Sequence, residues 1–103
     1  MSTPEKTRPL SEAACARGVY EDLVRRVQKF QAALKPNEKM VLKVGGVSTD
    51  AIGVRGATIW FQGSNEHGCA VIIAQHYTQA NVVLVAAPLP KGEKPRPIGF
   101  LTE

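Results

Sequence analysis

The chain has 103 residues, of which 44% are hydrophobic and 6% aromatic, and its formal net charge is +4. This length suits one domain, and the hydrophobic content is enough for one core, so the composition excludes a disordered chain for most of the length. The excess of basic residues favours anionic partners only weakly, because these residues are spread along the chain and form no nucleic-acid-binding tail.

Residues 1–10 contain two prolines and no apolar signal-peptide segment, which predicts a flexible N-terminal arm followed by a single domain at 11–103. No stretch approaches the roughly 18 to 20 apolar residues of a membrane span, so no membrane association is expected. Cys15 and Cys69 lie in different segments and are expected to be free thiols. These features predict a cytoplasmic protein.

A single amphipathic helix is predicted after the arm, because apolar residues recur at spacings of three and four over residues 20–34. Ser11 is suited to cap its N-terminus, and Pro36 ends it. The residues expected in its buried face are Leu23, Val27 and Phe30.

The remaining sequence changes to the period of two that is typical of strands. The predicted strands are residues 40–44, 51–55, 58–62, 70–74 and 81–86, and residues 98–101 are expected to return as a short edge strand. The sequence therefore predicts an α+β fold with one N-terminal amphipathic helix packed on an antiparallel sheet of four to five strands.

Three of these strands are apolar at successive positions: Ile59–Phe61, Val71–Ile73 and Val82–Val85. Successive residues of a strand point to opposite faces, so this pattern indicates that both faces of the sheet are buried. One helix covers only one face. The other face needs a cover from outside, most simply a second copy of the chain, unless the sheet curls into a small barrel that buries its own inner face.

The common catalytic and nucleotide-binding motifs are missing from the sequence, so an enzyme is not expected, nor a cofactor. His67-Gly68-Cys69 offers two metal ligands, whereas a structural zinc site needs four. We interpret this segment as a turn histidine beside a core cysteine, and no metal is expected.

The polar cluster Gln75-His76-Tyr77-Thr78-Gln79 lies between the two most apolar strands. It is either the connection of a hairpin or the polar end of a continuous strand. Its amide, imidazole, phenol and hydroxyl groups can all make directed hydrogen bonds, so it is either a ligand-binding site or a network that caps the sheet.

The loop of residues 91–97 is a second candidate site. Its basic residues Lys91, Lys94 and Arg96 could meet a phosphate or an acidic surface. The alternative is an ordinary solvated loop.

The segments Tyr20-Glu-Asp-Leu23, Asn65-Glu-His-Gly68, Gln75–Gln79 and Arg96-Pro-Ile-Gly-Phe100 occur in this order along the chain. In this the chain resembles a family of short bacterial and phage proteins known only as a domain of unknown function. Pro97 departs from that family's pattern, where a second basic residue is expected. The resemblance supports the fold and implies no activity.

These observations favour a non-catalytic homo-oligomeric binding protein that takes a small anionic, nucleotide-type ligand, such as a phage protein that sequesters a defence signal. The alternative is an interaction protein that binds and blocks a partner protein, and a nucleic-acid binder comes third because stacking aromatics are few. The predicted ligand-binding residues are Gln75, His76, Tyr77, Thr78, Gln79 and Arg96.

Overall fold

The computed structural model describes residues 11–94 and 98–102, the last two without their side chains. One helix, α1 (Glu12–Ala32), precedes six strands: β1 (Glu38–Val44), β2 (Val47–Arg55), β3 (Thr58–Ser64), β4 (Ala70–His76), β5 (Val83–Pro88) and β6 (Gly99–Thr102). The predicted α+β fold and N-terminal helix are confirmed, and the short strand expected at residues 98–101 is present as β6, which brings the sheet to six strands. The predicted N-terminal arm and Arg96 lie outside the described residues.

Helix α1 begins where its capping residue predicts. The Ser11 hydroxyl accepts a hydrogen bond from the backbone N–H of Ala14 at 3.1 Å, which satisfies one of the donors left free at a helix start. Tyr20 and Val27 are buried, and Leu23 packs against the buried core. Phe30 is only half-buried, so the apolar stripe of the sequence extends beyond the part of the helix that contributes to the core.

The sheet has the strand order β4-β3-β2-β1-β5, with antiparallel neighbours throughout. Strand β2 also pairs with β6, in parallel, over residues 51–54. Strand β1 pairs with residues 47–49 of β2, so β1 and β6 share one side of that strand. Asp50 lies between these two pairings, at a register shift in the pairing of β2 with β3. Because β4 and β5 are not paired with each other, the described strands do not close into a barrel.

One face of the sheet packs against α1 and forms the core. Its fully buried residues alternate along three adjacent strands, as the period of two requires. They are Leu42 and Val44 of β1, Ile52 of β2, and Ile59 and Phe61 of β3. Burying each such side chain stabilises the fold by roughly 1.5–3 kcal/mol. Thr49 is the one polar residue buried among the described residues, and its hydroxyl donates to the carbonyl of Leu42 at 3.1 Å.

The opposite face, which we call the open face, also carries apolar side chains, as the continuous apolar runs of the sequence predict. The register places on it Val41, Trp60, Ile72, Ala74, Val83 and Val85. Ile72 is 68% exposed and Val83 is 54% exposed, on strands at the two opposite ends of the sheet. Within the part of the chain that the structure describes, no helix covers this face.

Candidate functional site

Of the two geometries that the sequence left open for the cluster Gln75–Gln79, the hairpin connection is wrong, because β4 and β5 lie at opposite edges of the sheet and are not paired. Gln75 and His76 end strand β4, and Tyr77–Gln79 form one turn of 3₁₀ helix. The side chains are therefore grouped at the end of β4, close to the N-terminal half of α1.

His76 connects this turn to the helix. Its Nδ1 accepts a hydrogen bond from the backbone N–H of Thr78 at 3.3 Å and lies 2.7 Å from the Thr78 hydroxyl. Its Nε2 lies 3.2 Å from a carboxylate oxygen of Glu12, in the first turn of α1. Because Nδ1 accepts from the backbone, the geometry indicates a ring that carries a proton on Nε2 and donates it to Glu12.

The neighbouring residues of the cluster also have partners within the chain. The Gln75 side-chain oxygen accepts from the backbone N–H of Asn81 at 3.3 Å. The Tyr77 ring lies 4.6 Å from the His76 ring, and its backbone N–H donates to the carbonyl of Ala57 at 3.0 Å. Partial burial raises the pKa of Tyr77, and its contact with the Cys15 side chain raises that pKa further. These contacts give Gln75, His76, Tyr77 and Thr78 partners within the chain, whereas Gln79 is exposed.

The segment between β4 and β5 has to span a long distance with few residues. It connects two edge strands that run in the same direction, because the register aligns Val83 with Ala70, at the opposite end of β4 from His76. In a flat sheet the connection would cross about 19 Å and also return about 20 Å along the strands. Seven steps from His76 to Val83 span at most about 25 Å when extended, so the sheet must be curved where the connection crosses it. The connection contacts α1, and Tyr77 and Val82 pack against the core. We call residues 77–82 the strap.

The described part of the basic loop carries one acidic residue between two lysines. Lys91 and Lys94 are exposed, but Glu93 lies between them and pairs with Lys39 of β1 at 2.9 Å. Arg96 and its two flanking prolines lie outside the described residues. The prediction of a phosphate contact in this loop stays a prediction.

A different site is present on the open face. A hollow of about 410 Å³ lies over strands β2 to β4 and is lined by Arg55, Thr58, Trp60, Gln62, Ile72 and Ala74. The indole of Trp60 lies across Gly53 of the neighbouring strand. A Cβ atom added at Gly53 would come within 2.4 Å of two ring carbons, so only glycine leaves room for the ring in this position.

Two other hollows have mixed charge. One of about 270 Å³ lies where β1 and β6 separate, and Lys39, Asp50 and Glu93 contribute to its lining. The second, of about 450 Å³, lies beside the two hairpin turns and includes Glu66 and His67, whose side chains are 3.5 Å apart. Acidic groups in both hollows disfavour an anionic ligand there. Among the described residues, no group of three or more acidic, histidine or cysteine side chains could hold a metal ion.

The comparisons with known proteins leave the site to be interpreted on its own geometry. No family model, curated protein or solved structure matches this chain. The resemblance to short bacterial and phage proteins therefore stays a prediction. In the described part of the chain, no helix is both long enough and apolar enough to cross a membrane.

The sequence contained a signal for the Trp60 hollow that the predicted site residues did not include. Gly53 interrupts the apolar strand between Ile52 and Val54. A glycine inside a strand often marks a close approach of another group, and Trp60 is its cross-strand partner. The pairing of these two strands could not be assigned to that register from composition alone.

Proposed function

We propose that this chain is a non-catalytic binding protein that associates with a second copy of itself through the open face of its sheet. The observation that carries the proposal is the exposure of Ile72 and Val83, which lie on one face at the two opposite ends of the sheet. Apolar side chains therefore occur across the whole width of this face, whereas α1 lies on the other.

The energetics favour covering such a face. Burial of a large aliphatic side chain stabilises an assembly by roughly 1.5–3 kcal/mol. A partner that covers the exposed Ile72 and Val83 would therefore gain this stabilisation at each of the two residues. Extended apolar patches on soluble proteins commonly mark interaction sites. A second copy is the simplest cover, because a two-fold axis brings the same patch from both chains together.

The ligand that we expect is small and anionic, in agreement with the net charge of +4. The described side chains of the Gln75–Gln79 cluster that form hydrogen bonds do so within the chain. This supports a structural role for the cluster and leaves the open face as the better candidate for recognition.

Light scattering at micromolar concentration tests the association. The native protein should have at least twice the chain mass of 11.1 kDa. Ile72→Glu should shift the mass toward one chain, because a carboxylate in the interface would have to be desolvated. Val19→Glu is the matched control, because Val19 is 37% exposed on α1, away from the open face.

A native protein that stays at one chain mass would refute the self-association. A complex with a different protein on the same face, lost with Ile72→Glu, would instead support the alternative function of an interaction protein that blocks a partner.

A further inference from the structure

We propose that the hollow beside Trp60 binds a planar heteroaromatic ring, such as a nucleobase, stacked against the indole. The inference rests on the proposed function only in that the chain is a binding protein. It does not require self-association, but Ile72 belongs both to the hollow and to the proposed interface, so the two proposals are tested separately. It names the chemical class of the ligand and the side chains that recognise it.

The position of the aromatic platform is fixed by its neighbours. Trp60 is paired with Gly53 on one side and with Ala74 on the other, so both cross-strand neighbours are small. The indole lies against the glycine backbone, where a Cβ would come within 2.4 Å. A half-buried indole held in this way loses little side-chain freedom when a ring stacks on it, which favours binding.

Polar groups that can read the edge of a ring flank the platform. Thr58 and Gln62 lie two residues before and after Trp60 on the same strand, and therefore on the same face. The Gln62 amide supplies both donors and an acceptor, and the Thr58 hydroxyl can do either. Among the hydrogen bonds of the described residues, neither side chain has a partner within the chain, and neither is a buried unsatisfied group.

The remaining lining favours a flat ring over a simple anion. Ile72 and Ala74 of strand β4 add apolar surface to this hollow, which has a volume of about 410 Å³ and is open to solvent. A phosphate alone would need several donors that converge on it, whereas a nucleobase combines an apolar face with hydrogen-bonding edges. Stacking of a base on an aromatic side chain is the recurrent solution for such ligands.

Fluorescence titration tests the proposal directly, because Trp60 is the only tryptophan of the chain. Adenosine monophosphate should quench the emission in a saturable manner, whereas ribose 5-phosphate, which has the same phosphate and sugar but no base, should leave it unchanged. Absence of saturable quenching by adenosine monophosphate, or equal quenching by both compounds, would overturn the proposal.

Variants locate the site. Gln62→Ala should weaken the binding of adenosine monophosphate at least tenfold, whereas Gln28→Ala, at an exposed glutamine of α1, should not change it. Trp60→Leu, measured by equilibrium dialysis because the fluorophore is lost, should abolish binding while the circular dichroism spectrum stays native. Normal binding by a folded Trp60→Leu variant would also overturn the proposal.

Light scattering of the same samples separates this inference from the proposed self-association. If the native protein has a dimeric mass but does not bind the nucleotide, the proposed ring site is wrong and the proposed self-association is supported. If a protein of one chain mass binds the nucleotide, the self-association is wrong and the ring site is supported.

Discussion

Three glycines provide a direct test of the sheet register and of the Trp60 platform. A Cβ added at Gly63 would lie 2.1 Å from the carbonyl oxygen of Ser48 and 2.7 Å from the Cα of Thr49, both of them backbone atoms of β2. At Gly53 the conflict is with the outer atoms of the Trp60 side chain. At Gly18, in α1, the added Cβ would meet nothing within 4 Å outside the neighbouring backbone of its own helix.

The expected effects of alanine follow from what must move. Gly63→Ala should destabilise the protein by about 3 kcal/mol, at the upper end of overpacking, because strand β2 must shift beside its bulge. Gly53→Ala should cost less, about 1–2 kcal/mol, because displacing a side chain costs less than displacing a strand. Gly18→Ala should stabilise the helix by about 0.5–1 kcal/mol, the difference in helix propensity.

Urea denaturation followed by far-UV circular dichroism measures all three free energies of unfolding without using the tryptophan signal. A double-mutant cycle with Trp60→Leu should show a coupling of about 1 kcal/mol with Gly53→Ala and close to none with Gly63→Ala. Native stability of Gly63→Ala would refute the described pairing of β2 with β3. Absence of coupling between positions 53 and 60 would refute the contact that holds the proposed ring site.

Two further predictions concern the strap and the buried phenol. His76→Ala removes both the cap of the 3₁₀ turn and the contact with Glu12, so it should cost about 1 kcal/mol and lower the melting temperature by roughly 4–8 °C, whereas Gln79→Ala should melt as the native protein does. Burial raises the pKa of Tyr20, so the free energy of unfolding should be constant at neutral pH and fall as the pH rises past the ordinary tyrosine value of about 10, where the unfolded state ionises first. Tyr20→Phe should make that fall shallower in denaturation series from pH 8 to 11; an equal fall in both proteins would contradict the assignment.

The sequence predicted the helix and most strands because both depend on local pattern. Strand β2 was the exception, since it begins at Val47, four residues before the prediction. The residues Ser48-Thr49-Asp50 have no apolar pattern, and their strand conformation depends on pairing with β1 and on the Thr49 bond to Leu42. The parallel addition of β6 to the second half of β2 is likewise a long-range event that no local signal announces.

The polar cluster shows the same limit at the level of the site. The sequence indicated that Gln75 and His76 need hydrogen-bond partners, because unpaired polar groups are costly to bury. It could not show that one partner is Glu12, which lies 64 residues away and reaches the strap only after the helix has packed on the sheet. Residue types predicted the need for partners, and only the fold identified them.

The open face depends both on the local sequence pattern and on the pairing of the strands. Continuous apolar runs such as Val71-Ile72-Ile73 predicted that both faces would be buried, whereas in the single chain the structure places Ile73 toward the core and leaves Ile72 exposed. The same alternation brings Trp60 to the solvent side between Ile59 and Phe61, both fully buried. The indole is half-buried on this face, because a glycine on the adjacent strand makes room for it. The contact of the Trp60 ring with Gly53 distinguishes the β2–β4 part of the open face from the part formed by the valines of β1 and β5. For this reason we propose the ring site on β2–β4.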